Sequence, residues 1–340
     1  MIQTTADTFE LPAALPLEDG GLLMHAKLAY ETYGRFSADR AVILLHDLPH
    51  SHQALGEGGT SIYQPSGWAR ELVGEGRLLS PRDHYLVSVN LLGSPFGSTS
   101  PASLDEDTGK PLGPIFPQIT VLDMARAVSG LVRGLNLTRV HAVVGVGLGG
   151  MVALRLAALF RDLVRGVVVI GAARALPEGL REQLSMTGQL LGSDPAHQDG
   201  NYPPGQGPKR TLRNLRYDFL LRASGDPAIT PETAAGKQLA AEADAFAERF
   251  DPNCYALLAG AMGRADLSDY LERIRSRVLL VANGTDGMAP VSRVRDTYHL
   301  LTAAGAMAHF YELPSEAGHA TQPAGATRLH GAMDEFLSML

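Results

Sequence analysis

The chain has 340 residues, a formal net charge of −7, 45% hydrophobic and 19% charged residues. That balance belongs to a globular protein, and the acidic excess offers nothing to nucleic acid or to an anionic membrane. A single cysteine, Cys254, excludes an intrachain disulfide and a cysteine-based zinc site and fits a reducing compartment; with no basic-then-apolar leader and no apolar stretch of spanning length, a cytoplasmic location without membrane contact is expected.

In chain order, residues 22–33 alternate enough for a strand, closed by Gly34. Residues 40–46 (RAVILLH) form a continuous apolar run, as in a strand buried on both faces. A histidine-rich loop, 46–52, follows, and 53–80 reads as loop with one short helix around 68–73. Residues 84–90 (HYLVSVN) are the next buried strand. They lead into a Gly/Ser/Pro-rich loop at 91–117, of a length that usually signals function. Residues 119–136 carry Val121, Met124, Ala125, Val128, Leu131, Val132 and Leu135 at helical spacing.

The segment 140–150 (VHAVVGVGLGG) then runs from strand to helix through glycines, and 148–160 reads as a buried helix. This is the pattern of a nucleophile elbow, where a strained turn lifts a serine, cysteine or aspartate above a sheet. Here the central position is Gly147, so the nucleophile place is vacant. The same glycines fit a dinucleotide fingerprint on paper. That motif usually follows the first strand of its domain and is trailed by an acid about 20 residues later. This one follows several strands, and Asp162 falls in a loop.

After a strand at 166–171 the pattern changes. Residues 174–272 contain helical stretches and a polar loop at 193–208, without a convincing strand, so they are read as a helical lid inserted into a core of 1–173 and 273–340. Strands at 277–282 and 308–313, with helices at 291–303 and 323–338, complete the core. Strand–helix alternation predicts an α/β protein with a mostly parallel, doubly wound sheet. Asp286 and His319 each lie just past a late strand. Elbow, acid, histidine is the order of an α/β-hydrolase triad, in which the acid fixes the imidazole and the imidazole moves the proton. The backbone N–H groups of Leu48 and Leu148 are placed to face an oxyanion. Histidines 46, 50 and 52 lack a cysteine or clear carboxylate partner for a metal site, and no metal is expected.

On these residues the chain resembles the homoserine O-acetyltransferase family of α/β-hydrolase-fold acyltransferases over nearly its whole length. The matching stretches are AYETYG at 29–34, the strand and loop around His46, Gly67-Trp68, residues 90–117, 141–154 and 249–262, and the late Asp and His loops. The resemblance implies acyl-enzyme transfer from an acyl-CoA co-substrate to a small-molecule hydroxyl, with no permanently bound cofactor and a homodimer formed through the lid. It puts Asp286 and His319 on the family's acid and base, Leu48 and Leu148 on its oxyanion donors, and Arg210, or Arg213, on its substrate-carboxylate arginine. Two positions depart from the family: Gly147 stands where it has serine, and Ala320 where it has an aspartate that helps hold the homoserine amine. Three readings follow: a non-catalytic relative that binds a small molecule or partner, a His-Asp dyad enzyme without a covalent intermediate, or an ordinary acyltransferase knocked out by an engineered Gly147. The dyad is expected beside Gly147, beneath a pocket that is open where the serine would stand.

Overall fold

The computed structural model describes residues 4–56, 67–314, 318–319 and 326–340. Ten strands are present among them: β1 (Thr4–Glu10), β2 (Leu15–Pro16), β3 (Leu22–Leu23), β4 (Lys27–Tyr33), β5 (Ala41–Leu45), β6 (Tyr85–Val89), β7 (Val140–Val146), β8 (Val164–Ile170), β9 (Arg277–Asn283) and β10 (Ala308–Leu313). The helices are α1 (Val121–Gly134), α2 (Leu148–Leu159), α3 (Glu178–Ser185), α4 (Thr187–Gly192), α5 (Lys209–Ser224), α6 (Ala234–Arg249), α7 (Pro252–Arg264), α8 (Val291–Ala303) and α9 (Ala326–Ser338).

Eight strands form one sheet in the order β1-β4-β6-β5-β7-β8-β9-β10. The first two pairings, β1 with β4 and β4 with β6, are antiparallel; every pairing from β6 to β10 is parallel. β5 is buried at all five positions, as its unbroken apolar run requires when helices cover both faces. α1 opens on a capping box, in which Thr120 and Asp123 satisfy each other's backbone N–H groups. It packs beside α2, which is buried along nearly its whole length. Between β8 and β9 the described residues hold helices joined by loops and no strand, with α5 packed on α6 and α3 on α7.

Three local expectations change. Residues 22–33 are two strands, because His25 takes a left-handed φ of 51° and turns the chain between β3 and β4. Around 68–73 there is a turn instead of a helix. Its groups bond across the loop: the Trp68 indole donates to Ser51 O at 2.9 Å and Ala69 N to Ala54 O at 2.9 Å, so an independent helix is not built. β1 is an addition to the sequence reading. Its residues are mostly exposed and offer no apolar face, and its pairing is set by the ladder with β4. The closing helix begins at Ala326 in the described chain; 323–325 lie outside it.

Candidate active site

β7 runs into α2 through Gly147, which adopts φ 51° and ψ −117°. That conformation is open to glycine and strained for any residue with a side chain. The turn is also closely walled. A Cβ on Gly145 would lie 2.3 Å from Gly149 O, and one on Gly149 would lie 2.3 Å from Leu45 O. The end of β5 therefore rides directly over the start of α2, and the loop after β5 is brought above the elbow.

Asp47 is in that loop, and its side chain fills the nucleophile place. A Cβ on Gly147 would stand 2.0 Å from Asp47 Oδ1 and 2.9 Å from Oδ2. The Leu148 N–H, one of the two expected oxyanion donors, donates to Asp47 Oδ1 at 2.8 Å. The space above Gly147 is therefore not open, contrary to the sequence expectation. The reason is local: a glycine at the elbow leaves side-chain volume, and the residue before Leu48 is long enough to use it. The Leu48 N–H has no hydrogen-bond partner among the described residues.

The rest of the site converges on the same point. His319 Nδ1 lies 2.7 Å from Asp286 Oδ2, and its Nε2 lies 3.6 Å from Asp47 Oδ2. Asp286 is oriented by the Met288 and Ala289 N–H groups, which donate to its Oδ1 at 2.7 and 2.8 Å. The His319 N–H donates to Ala223 O at 2.6 Å, so the end of α5 holds the histidine loop. All three side chains are buried. Burial alone would lower the His319 pKa, but the Asp286 carboxylate and then that of Asp47 outweigh it, and the imidazole is held well above its usual range. Burial alone would raise Asp47, but His319 and the Leu148 N–H outweigh it and hold the carboxyl well below its usual range. The facing pair is thereby biased towards an imidazolium at His319 and a carboxylate at Asp47.

The loop histidines have other work. His46 Nδ1 donates to Asp47 O at 2.8 Å while its Nε2 accepts from the Leu91 N–H at 3.0 Å. Burial holds its pKa down at about 4, so it braces the loop as a neutral ring. His50 stacks on Trp68 with ring centroids 6.4 Å apart. Among the described residues no three histidines, cysteines or carboxylates are grouped to hold a metal. Cys254 is buried on α7, and burial pushes its thiol up.

The arginines fall differently from expectation. α5 buries Leu212, Leu215, Arg216, Phe219 and Ala223, a helical stripe that leaves Arg210 exposed and turns Arg213 outward to Asp244 at 2.9 Å. Arg216 is the buried one. It pairs with Glu242 at 2.8 Å, and its charge is felt by His50 and Tyr255. Neither Asp47 nor Arg216 is singled out by the sequence reading. For Asp47 a signal exists: a side chain lost at the elbow and a carboxylate present beside the oxyanion residue. Ala320 lies outside the described residues.

The model of the alpha/beta hydrolase fold matches residues 40–230. A serine O-succinyltransferase of Litchfieldella anticariensis is 33% identical over 361 aligned residues, covering 97% of each chain. An L-serine/homoserine O-acetyltransferase of Streptomyces lavendulae is 32% identical, covering 97% of this chain and 96% of that one. The chain belongs to the serine and homoserine O-acyltransferase family of the α/β-hydrolase fold. Among solved structures, a homoserine O-acetyltransferase from Bacillus anthracis superposes with a TM-score of 0.87 over 99% of this chain at 22% identity, and esterase E22 with 0.86 at 20%. At such identities the likeness is one of fold. No helix among the described residues is long and apolar enough to cross a membrane.

Proposed function

We propose that this family member handles an acyl-CoA and a hydroxyl-bearing small molecule at the Asp47–His319–Asp286 site, with the serine acyl-enzyme route closed. The family supports the substrate class. The observation that carries the second half is the position of Asp47 Oδ1, 2.0 Å from where a Cβ on residue 147 would be. A serine placed at 147 alone would collide with a carboxylate that already holds the Leu148 N–H. Restoring a serine route is therefore expected to take two changes, Gly147→Ser with Asp47→Ala, since Asp47 is also held by the Leu148 N–H.

Intact-mass measurement after exposure to acetyl-CoA and succinyl-CoA tests this. The double variant is expected to gain an acyl adduct on the hydroxyl of the introduced serine, and Gly147→Ser alone is not. An adduct on the single variant as abundant as on the double would show that Asp47 does not block the place. The reading also carries a cytoplasmic location, which the single cysteine fits, and a homodimer formed through the lid, on the strength of the family resemblance; sedimentation of the purified chain as a monomer at micromolar concentration would remove the dimer.

A further inference from the structure

A buried carboxylate oxygen without a hydrogen-bond partner is costly and calls for an explanation. Among the described residues Asp47 Oδ2 has no such partner, and neither does the buried imidazole nitrogen it faces, His319 Nε2 at 3.6 Å. The other Asp47 oxygen is anchored on the Leu148 N–H, and the Asp47 carbonyl is held by both His46 Nδ1 and the His50 N–H at 2.8 and 2.9 Å. The side chain is thus fixed at one end and bare at the other, in the volume that Gly147 vacates, with an imidazole beside the bare oxygen.

From this geometry we infer that Asp47 is the relocated nucleophile of the site, the covalent acceptor of an acyl group from an acyl thioester. The inference rests on the acyl-transfer reading above. Asp47 Oδ2 attacks the thioester carbonyl carbon, the carbon–sulfur bond breaks, and the imidazolium of His319 gives its Nε2 proton to the leaving thiolate. The products are an acyl–aspartyl anhydride, a free thiol and a neutral His319. In the second half His319 Nε2 takes the proton of an acceptor hydroxyl, whose oxygen attacks the acyl carbon. The bond to Asp47 breaks, and the ester, the carboxylate and the imidazolium result. Charge and protons balance without a further reactant. Because Asp47 Oδ1 engages the Leu148 N–H, the Leu48 N–H, which has no partner among the described residues, is the donor left for the developing oxyanion. Carboxylates are established as covalent nucleophiles when positioned beside a proton-transfer group.

The test uses the full chain with acetyl-CoA and no acceptor, followed by a borohydride quench and peptide mapping. A burst of CoA thiol is expected, with reduction of position 47 to the alcohol, since borohydride reduces an anhydride and spares a carboxylate. L-serine or L-homoserine added before the quench should discharge the adduct. Asp47→Asn keeps an oxygen for the Leu148 N–H and should fold, as its melting curve will show, yet give neither burst nor mark. Ester formation undiminished in Asp47→Asn, with position 47 unmarked, overturns the inference while the acyl-transfer reading survives. Loss of ester formation in that variant, with no mark ever found on Asp47 in the native chain, also overturns it, since Asp47 would then act only on protons. No thiol release from acetyl-CoA or succinyl-CoA in the native chain, with an adduct on the introduced serine of the Asp47→Ala, Gly147→Ser double variant, shows Asp47 to be a plug. No release and no adduct in either form fails both readings.

Discussion

At the scale of residues, the site turns on an exchange of side chains between two positions that are far apart in sequence. Gly147 relaxes a backbone conformation that costs a side-chain-bearing residue on the order of 1–3 kcal/mol, and Asp47 takes the room. Gly147→Ala should therefore destabilise the protein by about that strain plus a collision with the carboxylate, and by less in an Asp47→Ala background. Chemical denaturation of the four proteins of that cycle measures the coupling; equal losses in both backgrounds would mean that Asp47 does not fill the place. The electrostatic counterpart concerns His319. Two carboxylates raise its pKa, so removing one by Asp47→Asn should bring the pKa down, read from the imidazole resonances of His319 across a pH titration. An unchanged midpoint would contradict the 3.6 Å ion pair.

At the scale of elements, α5 decides which arginine reaches the interior. Helical periodicity puts Arg216 on the stripe of Leu212, Leu215 and Phe219, and Arg210 on the opposite side. If the acceptor bears a carboxylate, Arg216, buried and felt by His50, is the arginine of this helix predicted to meet it. Arg216→Leu should weaken binding of L-serine or L-homoserine by about ten- to a hundredfold, the usual worth of a charged hydrogen bond, and Arg210→Ala should leave it unchanged. Calorimetric titration of both variants separates the two, and a loss confined to Arg210→Ala would restore the original expectation. The periodicity of α5 puts Arg216 on the apolar stripe but does not say what that stripe meets. That is set by the packing of α5 on α6, where Glu242 meets Arg216.

At the scale of the whole molecule, burial of titratable groups shapes the response to pH. Burial lowers His46, His50 and His52 to about 4, 3 and 4, so they stay neutral in the folded chain while the unfolded chain protonates them near 6.5. As pH falls below that value the unfolded state binds more protons, and each histidine removes about 1.4 kcal/mol of stability per pH unit until its folded pKa is reached. His319 acts in the opposite sense. Its raised pKa contributes stability that is complete below about 6.5 and lost as pH rises through the folded value. Asp47, with its lowered pKa, contributes above about 3.9 and loses that contribution only as pH falls through its folded value. Melting temperatures should thus be highest near neutrality and fall steeply between about pH 6 and 4. A flat profile over that interval would mean that the three histidines are solvated in the folded chain.

The sheet and the elbow are legible in the residues alone. Unbroken apolar runs such as 41–45 and 167–170 can only be buried between two layers of helix, and the glycines at 145, 147 and 149 can only form a tight strand-to-helix turn. Asp286 and His319 were legible because each follows a late strand, where a parallel sheet presents its loops on one edge. β1 was not legible, since an exposed edge strand takes its register from the neighbour's backbone and carries no apolar signature. Nor was Asp47, although it stands in plain sight between His46 and Leu48. What a glycine omits is visible in one dimension; what enters the space it leaves is a matter of which loop lies above it. Only the tertiary structure, by riding the end of β5 over the start of α2, brings a residue a hundred positions away into that space.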